Sequence, residues 1–300
     1  MSSGPNSGTD GELTEIARWF SGQRNAWERL GTVVRNSLDE VLDGQRTGRF
    51  DVADLDEVER AYLGTKFAIL VGAGFGLRRG TRARFAIAGH DVEPAFSSGS
   101  AWSIPSGAAG RPCFVVSVDD RRSTFDAGLV RATRDVLKRS SGGRREVLPT
   151  ASAKIAWLAR EAHLPENALL HLPRLVSSAI MSRESGQRRV NELFRRVQGE
   201  LVDRTTVATV ATQADAMKRC RDARRLLAPE GIVVLGHQKD GPRVAEALKL
   251  PVPHKGSHLA VRLVRVSPSS TGRPTAEIGN AHYAVARPGD PVAPAPVIDC

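Results

Sequence analysis

A pair of short strands is the feature that most constrains how this chain folds. Residues 85–98 read FAIAGHDVEPAFSS, in which two stretches of alternating apolar residues flank a Gly-His-Asp break. The alternation predicts two strands, and the break predicts the turn that joins them. The second strand carries an acidic residue, Glu93, and the side chain of Ala95 is expected on the same face of that strand.

Helical periodicity dominates the residues before this strand pair. Apolar side chains recur at steps of three and four between residues 13 and 42, which predicts helix there. The stretch DVADLDEVERAYLGTKFAIL at 51–70 predicts another helix, with Asp51 or Asp54 able to cap it. The polar stretch DGQRTGRF between them, with its two glycines, predicts a turn.

Strand, loop and helix patterns follow the pair. PCFVVSVD at 112–119 has the apolar core of a buried strand, KRSSGGRRE at 138–146 predicts a loop, and ASAKIAWLAREA at 151–162 predicts a helix. Helix, strands and helix in this order indicate an α/β (α+β) first domain over residues 12–165, after a flexible tail at 1–11.

The second half of the chain, residues 166–300, is organised differently. GQRRVNELFRRVQGELV predicts an amphipathic helix, and RTTVATVATQADAMKRCRDARRLL predicts a short helix, a bend near Gln213 and a basic helix. Strand-like runs follow at GIVVLGH and LAVRLVRV. This order is typical of a winged helix-turn-helix domain, whose second short helix enters the major groove of DNA. The alternative is an ordinary helical domain with a solvated basic face.

The charge of the chain points to a polyanionic partner. Lys and Arg number 43 against 33 Asp and Glu, so the net charge is +10 and the pI is near 10.2. Each basic side chain set against a phosphate releases condensed counterions, and arginine binds phosphate and guanine edges with two hydrogen bonds. A GC-rich genome also raises arginine content, so charge alone leaves an ordinary basic protein open.

Several protein classes find no support in the sequence. The scattered cysteines have no CxxC or histidine spacing, which predicts free thiols rather than disulfides or a zinc site: Cys113, Cys220 and Cys300. No uncharged apolar run of about 18 residues occurs, and the polar N-terminus differs from a signal peptide. We therefore expect a cytoplasmic protein without membrane contact.

Common catalytic signatures are also missing. ILVGAGFGLRRG suggests a dinucleotide-binding loop, but Leu77 stands where the third glycine is needed, and LRRGTRARF has no apolar face for a helix. The histidines show no HExxH spacing, and the serines of SSGSAW have no nucleophile-elbow pattern.

Longer ordered stretches carry a family resemblance. They occur between residues 30 and 297, and in chain order they are VLDGQRTGRF, ENALLHLP, RVNELFRRVQG, VATVATQADAMKRCR, PEGIVVLGHQ, LPVP and AEIGNAHYAVARPGDPV. In this order they resemble the NaeI family of type IIE restriction endonucleases. The resemblance implies a homodimer with an N-terminal endonuclease-like domain and a C-terminal domain with a catabolite-activator-like helix-turn-helix. Members of the family cut duplex DNA with magnesium and need a second copy of the recognition site as effector.

The resemblance also implies where the nuclease residues of the PD-(D/E)xK core should stand. Ala68 matches the helical glutamate, Arg84 the first aspartate, Glu93 the aspartate of D-x-K, and Ala95 its lysine. Glu93 alone keeps a suitable group, so the motif is degraded. Hydrolysis of a phosphodiester in this way requires a divalent cation held by several oxygens. A guanidinium at position 84 would repel such an ion by roughly 8 kcal/mol, on the basis of about 4 kcal/mol for unit charges at about 4 Å.

The residues leave a rescued metal site open as an alternative. Asp91 lies two positions before Glu93, so both carboxylates are expected on one strand face, where they could hold Mg²⁺. Lys66 or Arg82 could then replace the missing lysine. Pro94 removes a strand hydrogen-bond donor, which argues against a retuned site.

The DNA-binding residues are predicted in three groups. They are the basic helix with Lys218, Arg219 and Arg221, the amphipathic helix with Arg188, Arg189, Arg195 and Arg196, and the segment DGQRTGR with Gln45, Arg46, Thr47 and Arg49. The sequence thus predicts a catalytically inactive, NaeI-like protein that binds duplex DNA site-specifically as a homodimer and needs no cofactor. It would read a short GC-rich site, methylated or not, or serve as a partner of a methyltransferase or nuclease. The alternatives are an active Mg²⁺-dependent restriction endonuclease and an assembly module that binds no DNA.

Overall fold

The computed structural model describes residues 10–99, 101–138, 144–147, 149–267 and 272–299. The chain divides into two compact units. The first unit holds residues 1–42 and 51–167, and the second holds 43–50 and 168–300. The chain therefore passes between the units three times, and the short segment 43–50 belongs to the second unit. The sequence pattern instead predicts this segment within the first domain, residues 12–165.

Helices form one layer of the first unit. They are α1 (Gly11–Ser21), α2 (Ala26–Leu42) and α4 (Glu57–Phe75). The short helix α3 (Gly44–Thr47) comes between α2 and α4 in the chain but belongs to the second unit. The helical region predicted at 13–42 is thus two helices, and Asn25 has a left-handed φ of 50° before the second begins. Of the predicted tail, residues 1–9 lie outside the described residues, and Asp10 caps α1.

The start of α4 differs from the prediction. Asp56, rather than Asp51 or Asp54, is its N-cap, in a capping box with Glu59. Asp51 instead accepts a hydrogen bond from the Ala53 amide in a short 3₁₀ turn. The glycines of the VGAGF stretch lie inside α4, which supports the rejection of a dinucleotide loop.

A mixed five-stranded sheet lies against these helices. Its order is β1-β2-β4-β5-β8, with β2 and β4 parallel and the other neighbours antiparallel. A second, three-stranded sheet has the order β3-β7-β6. The strands are β1 (Phe85–Ile87), β2 (His90–Ser97), β3 (Ser103–Pro105), β4 (Pro112–Asp119), β5 (Thr124–Arg131), β6 (Leu137–Lys138), β7 (Arg144–Val147) and β8 (Ala156–His163).

The strands of this sheet agree with two sequence predictions and differ from a third. The strands at 85–97 and 112–119 are confirmed, whereas the helix predicted at 151–162 is wrong because most of it is the edge strand β8. Hydrogen bonds to β5 hold this segment as a strand although its residues favour helix. The two strands are in close contact, because a Cβ at Gly128 of β5 would lie only 3.2 Å from Cε3 of Trp157 in β8. The predicted loop at 138–146 includes strand residues at both ends, and its centre at 139–143 lies outside the described residues.

The two faces of the five-stranded sheet bury separate apolar clusters. The helical face packs aromatic rings together, with Phe67 5.0 Å from Phe96 and Phe20 4.7 Å from Phe114, measured between ring centroids. The opposite face buries Ala95 in a smaller apolar cluster. Apolar clusters therefore contact both faces of the sheet along β2.

The second unit consists of helices followed by an antiparallel sheet. Its order is β10-β11-β13-β12, with β9 also paired to β11. Its helices are α5 (Ala168–His171), α6 (Arg174–Met181), α7 (Gly186–Arg196), α8 (Arg204–Ala211), α9 (Ala216–Leu227) and α10 (Asp240–Ala247). Its strands are β9 (Leu201–Asp203), β10 (Ile232–Leu235), β11 (Ser257–Val266), β12 (Thr275–Ile278) and β13 (Ala281–Val285).

The short helix, the bend and the basic helix predicted in this unit are confirmed, whereas the helix predicted at 186–202 is α7 only as far as Arg196, and residues 201–203 form strand β9. Two helices, α8 and α9, are separated by a turn at residues 212–215, and α7 packs against both. The chain as a whole is a mixed α/β protein, as the sequence predicts. No helix in the described part of the chain is long and apolar enough to cross a membrane.

The cysteines behave as predicted where the structure describes them. Cys113 and Cys220 are free and buried. Burial raises the pKa of each thiol to about 12, so neither is a nucleophile near neutral pH. Cys300 lies outside the described residues.

Candidate functional site

Two of the positions matched to nuclease residues meet in one cleft. Ala68 on α4 and Arg84, just before β1, both line a cavity of about 320 Å³, together with Arg79, Leu77 and Phe85. The wall contributed by α4 is apolar, and Arg79 and Arg84 bring positive charge to the cleft. The cleft therefore attracts an anion rather than a cation.

The two carboxylates of β2 hold the loop that precedes β1. Asp91 accepts hydrogen bonds from the amides of Thr81 (2.8 Å, Oδ1) and Arg82 (3.1 Å, Oδ2). Glu93 accepts one from the amide of Arg84 (3.1 Å, Oε2). Three carboxylate oxygens are thus engaged by the backbone of residues 81–84.

The position matched to the lysine is buried. Ala95 is 4% exposed and lies in the apolar cluster that also contains Trp102, Ile104 and Val115. Trp102 is fixed there by a hydrogen bond of 2.9 Å from its Nε1 to the carbonyl oxygen of Val116. A side chain at position 95 therefore meets apolar atoms instead of solvent.

The two residues considered as substitutes for the lysine lie in different surroundings. Lys66 forms an ion pair with Glu40, and that hydrogen bond raises the pKa of the Lys66 ammonium group. Arg82 lies 3.8 Å from Asp91 (Nε to Oδ2), and its side chain is 78% exposed. The structure thus brings Arg82, but not Lys66, to the carboxylates.

The loop before β1 is rich in arginine. We define the arginine loop as residues 78–84, which read RRGTRAR. Its arginines, Arg78, Arg79, Arg82 and Arg84, are all exposed. The sequence predictions use Arg84 and Arg82 in the nuclease motif but miss Arg78 and Arg79, although four arginines within seven residues are a visible signal.

On α9, two of the three predicted DNA contacts are free to reach a ligand. Lys218 and Arg221 are exposed, and neither has an ion-pair partner in the described part of the chain. Arg219 instead donates to Gln213 (2.8 Å, Nε to Oε1). Arg225, one turn beyond Arg221, lies on the same exposed side and was missed by the sequence analysis.

Two arginines of α7 are engaged inside the unit. Arg196 donates to the buried Glu192 at 2.6 Å (Nε to Oε1), and Arg195 forms a two-pronged pair with Glu230. Burial opposes ionisation of Glu192, but hydrogen bonds from Arg196 and Arg183 hold its pKa below the usual value. These contacts stabilise the fold of α7 and reduce what Arg195 and Arg196 can offer to a phosphate.

The other predicted arginines of α7 lie near its N-terminus. Arg188 pairs with the exposed Glu184 at 2.6 Å (Nη1 to Oε2). Arg189 donates to Thr212 at 2.6 Å, Nη2 to Oγ1, and so braces the turn between α8 and α9.

The segment 43–50 packs on the same turn. A Cβ at Gly44 would overlap Thr209 of α8, and one at Gly48 would lie 3.3 Å from Cγ2 of Thr212. Three of its predicted DNA contacts are exposed: Gln45, Arg46 and Thr47. Arg49 is partly buried. The structure thus places all three groups of predicted DNA contacts in the second unit, whereas the sequence predicts segment 43–50 in the first domain.

Comparison with known proteins identifies the relationship. A family model described as restriction endonuclease NaeI matches residues 15–294. The chain is 41% identical over 285 residues to the type II restriction enzyme NaeI of Lentzea aerocolonigenes, an alignment covering 90% of this chain and 89% of that protein. The chain belongs to the NaeI family.

Membership of the NaeI family gives the site its context. The family is one of type II restriction endonucleases, which bind double-stranded DNA, so the basic surfaces described above belong to a DNA-binding protein. Within the described residues, no group of three or more His, Cys, Asp or Glu side chains is arranged to hold a metal ion.

Proposed function

We propose that this NaeI-family protein binds duplex DNA site-specifically and does not cleave it. The burial of Ala95 at the lysine position is the observation that carries the second part. A lysine there stabilises the developing charge on the phosphate, and one such electrostatic group is worth a factor of about 100 to 1000 in rate. No cation can act from a position sealed in the apolar cluster of Trp102 and Ile104.

The metal that the family implies does not fit the residues present. Magnesium requires octahedral oxygen coordination at about 2.1 Å, usually with one or two carboxylates that are free to bind it. Both oxygens of Asp91 and one of Glu93 accept backbone hydrogen bonds, while Arg84 lines the neighbouring cleft. The residues present therefore do not provide the ligand set of a magnesium-dependent nuclease.

DNA binding is supported by the second unit. The turn between α8 and α9 presents α9 with Lys218, Arg221 and Arg225 exposed. Two helices joined by a short turn support a helix-turn-helix, and the antiparallel strands β10 and β11 that follow support a wing. We propose a winged-helix domain that inserts α9 into the major groove and contacts phosphates from Arg188 and the segment 43–50.

We further propose that the protein acts as a homodimer. A two-fold symmetric reader matches a short palindromic site, because each protomer presents one α9 to a half-site. A GC-rich site, methylated or unmethylated, suits the bidentate contacts of arginine with guanine. Such a reader could regulate or accompany a methyltransferase or nuclease.

Binding selection tests the first part of the proposal. Random duplexes, with and without cytosine or adenine methylation, are incubated with the protein, and the retained molecules are sequenced. We expect one palindromic motif to be enriched. Failure to enrich any motif, combined with no gel shift at low salt, would contradict the proposed function.

A plasmid assay tests the second part. Supercoiled plasmid carrying the selected motif is incubated with the protein and Mg²⁺ or Mn²⁺, beside the Glu93→Ala variant. We expect the plasmid to remain supercoiled with both proteins. Nicking or linearisation by the parent that is lost in the variant would establish the second candidate function, an active restriction endonuclease.

That second candidate has its own support. The 41% identity to a type II restriction enzyme extends over most of both chains, and Asp91 and Glu93 lie on one strand two residues apart. If both carboxylates left the arginine loop when DNA bound, they could share one ion. Cleavage that persists in the Glu93→Ala variant would instead come from a contaminating nuclease.

A further inference from the structure

We propose that Asp91 and Glu93 act as a latch that holds the arginine loop as a metal-free clamp for one phosphate group of duplex DNA. The clamp would lie at the cleft lined by Arg79, Arg84 and Ala68. This inference rests on the proposed DNA binding and adds a phosphate site in the first unit to it.

The latch is a set of hydrogen bonds from the loop backbone. Asp91 accepts hydrogen bonds from the amides of Thr81 and Arg82, and Glu93 accepts one from the amide of Arg84, at 2.8 to 3.1 Å. Charged acceptors make such bonds about twice as strong as neutral ones. Among the described residues of the loop, Arg82 is the arginine whose side chain approaches one of these carboxylates, at 3.8 Å from Asp91.

Gly80 shows that the latch is built closely. A Cβ there would overlap Oδ1 of Asp91 and lie 2.6 Å from the carbonyl oxygen of Phe85. Only glycine lets the carboxylate approach the amides of the next two residues. Arg111 also donates from Nη1 to the carbonyl oxygen of Arg82, so a side chain outside β2 adds to the contacts that hold the loop backbone.

The clamp has the chemistry of a phosphate site. Arg79 and Arg84 line one cleft of about 320 Å³, and both are exposed without an ion-pair partner among the described residues. Guanidinium groups bind phosphate with paired hydrogen bonds, and they stay charged at any physiological pH. The carboxylates on β2 thus position cations around the phosphate instead of coordinating a metal.

Variants of the clamp give the first test. The probe is a short duplex carrying the selected motif, and the measurements are its Kd and the slope of log Kd against log salt. Replacing Arg79 and Arg84 by alanine should weaken binding by about tenfold for each contact at about 0.1 M salt and lower the slope by about 2. Arg24→Ala, an exposed arginine between α1 and α2, serves as the control for lost charge.

Unchanged affinity and slope in the double variant would overturn the clamp. That outcome is distinguishable from failure of the proposed function, because the parent would still bind the duplex. A parent that binds no duplex would instead contradict the proposed function itself.

Variants of the latch give the second test. Asp91→Ala removes a negative charge, so if the carboxylate were a bystander the affinity for DNA would rise. The latch predicts the opposite, a loss of about tenfold, because the arginine loop is released. Gly80→Ala changes no charge and should produce a similar loss, whereas Gly64→Ala, whose added Cβ meets nothing within 4 Å, should not.

Magnesium provides the last discriminating measurement. The clamp needs no metal, so affinity in EDTA should equal or exceed affinity in Mg²⁺, which competes for phosphate. A gain in affinity on adding Mg²⁺ that Asp91→Ala abolishes would overturn the latch. Equal unfolding midpoints for parent and variants, measured by circular dichroism, show that each comparison is made between folded proteins.

Discussion

Arg196 and Glu192 form a hydrogen-bonded ion pair of 2.6 Å on successive turns of α7, with the Glu192 side chain only 7% exposed. Arg183 and Arg195 approach the same carboxylate at 3.1 and 3.5 Å. One buried acid thus gathers three arginines of the second unit. Counting basic residues in the sequence therefore overestimates the number of arginines that can contact DNA phosphates.

Arg196→Ala should therefore act mainly on stability. Loss of one partner leaves Glu192 buried with weaker compensation, which costs about 1 to 2 kcal/mol of the free energy of unfolding. Urea denaturation measures this change. The slope of DNA affinity against salt should stay as in the parent, and a slope lowered by about 1 would show that Arg196 contacts a phosphate after all.

Substitutions on the exposed side of α9 should instead change DNA binding and leave the stability nearly unchanged. Arg221→Ala and Arg225→Ala should each weaken DNA binding and lower the salt slope by about 1 if they contact phosphate, or relax sequence preference if they contact a base. Stability should change by less than about 0.5 kcal/mol, because both side chains are exposed. Gel shifts on the selected and mismatched duplexes distinguish the two roles, and normal binding by both variants would contradict the assignment of α9.

Restoring the lysine of the nuclease motif should damage the fold. Ala95→Lys forces a charged side chain into the cluster of Trp102 and Ile104, at a cost of about 3 kcal/mol or more. The control is Ala101→Lys, at an exposed position nearby in the sequence. A stable Ala95→Lys protein, judged by its denaturation midpoint, would show that position 95 can open to solvent and would reopen the case for catalysis.

Acid should weaken the second unit through His258. Burial, with the positive charges of Arg224 and His237, lowers the pKa of His258 from 6.5 to about 4. Between these values the unfolded chain binds the proton and the folded chain does not, so stability is complete above about pH 6.5 and is lost as the pH falls toward 4. The loss is about 2 to 3 kcal/mol.

His258→Gln tests this directly. Denaturation of the variant should show a smaller pH dependence between pH 4 and 6.5 than the parent, while replacement of the exposed His163 by glutamine should leave it unchanged. Identical pH profiles for the parent and His258→Gln would show that other groups cause the acid sensitivity.

The elements with strong local periodicity were predictable. Helices α7 and α9 each bury a face that recurs at helical spacing, and strand β4 is a nearly continuous buried apolar run, so in each case the pattern is present within the segment. Strand β8 was mispredicted because its conformation depends on hydrogen bonds to β5, whose residues lie far away in the sequence. Its own Ala, Leu, Arg and Glu residues favour helix.

The site residues divide in the same way. Residue identity was enough to indicate the NaeI family and the basic face of α9, and the resemblance matches positions 68, 84 and 95 to acidic and lysine side chains that this chain does not carry. Only the tertiary structure decided that segment 43–50 joins the second unit, that Ala95 is sealed, and that Asp91 and Glu93 hold the arginine loop. The physical reason is that charge and size belong to each residue, whereas burial and hydrogen-bond partners depend on which distant segments meet.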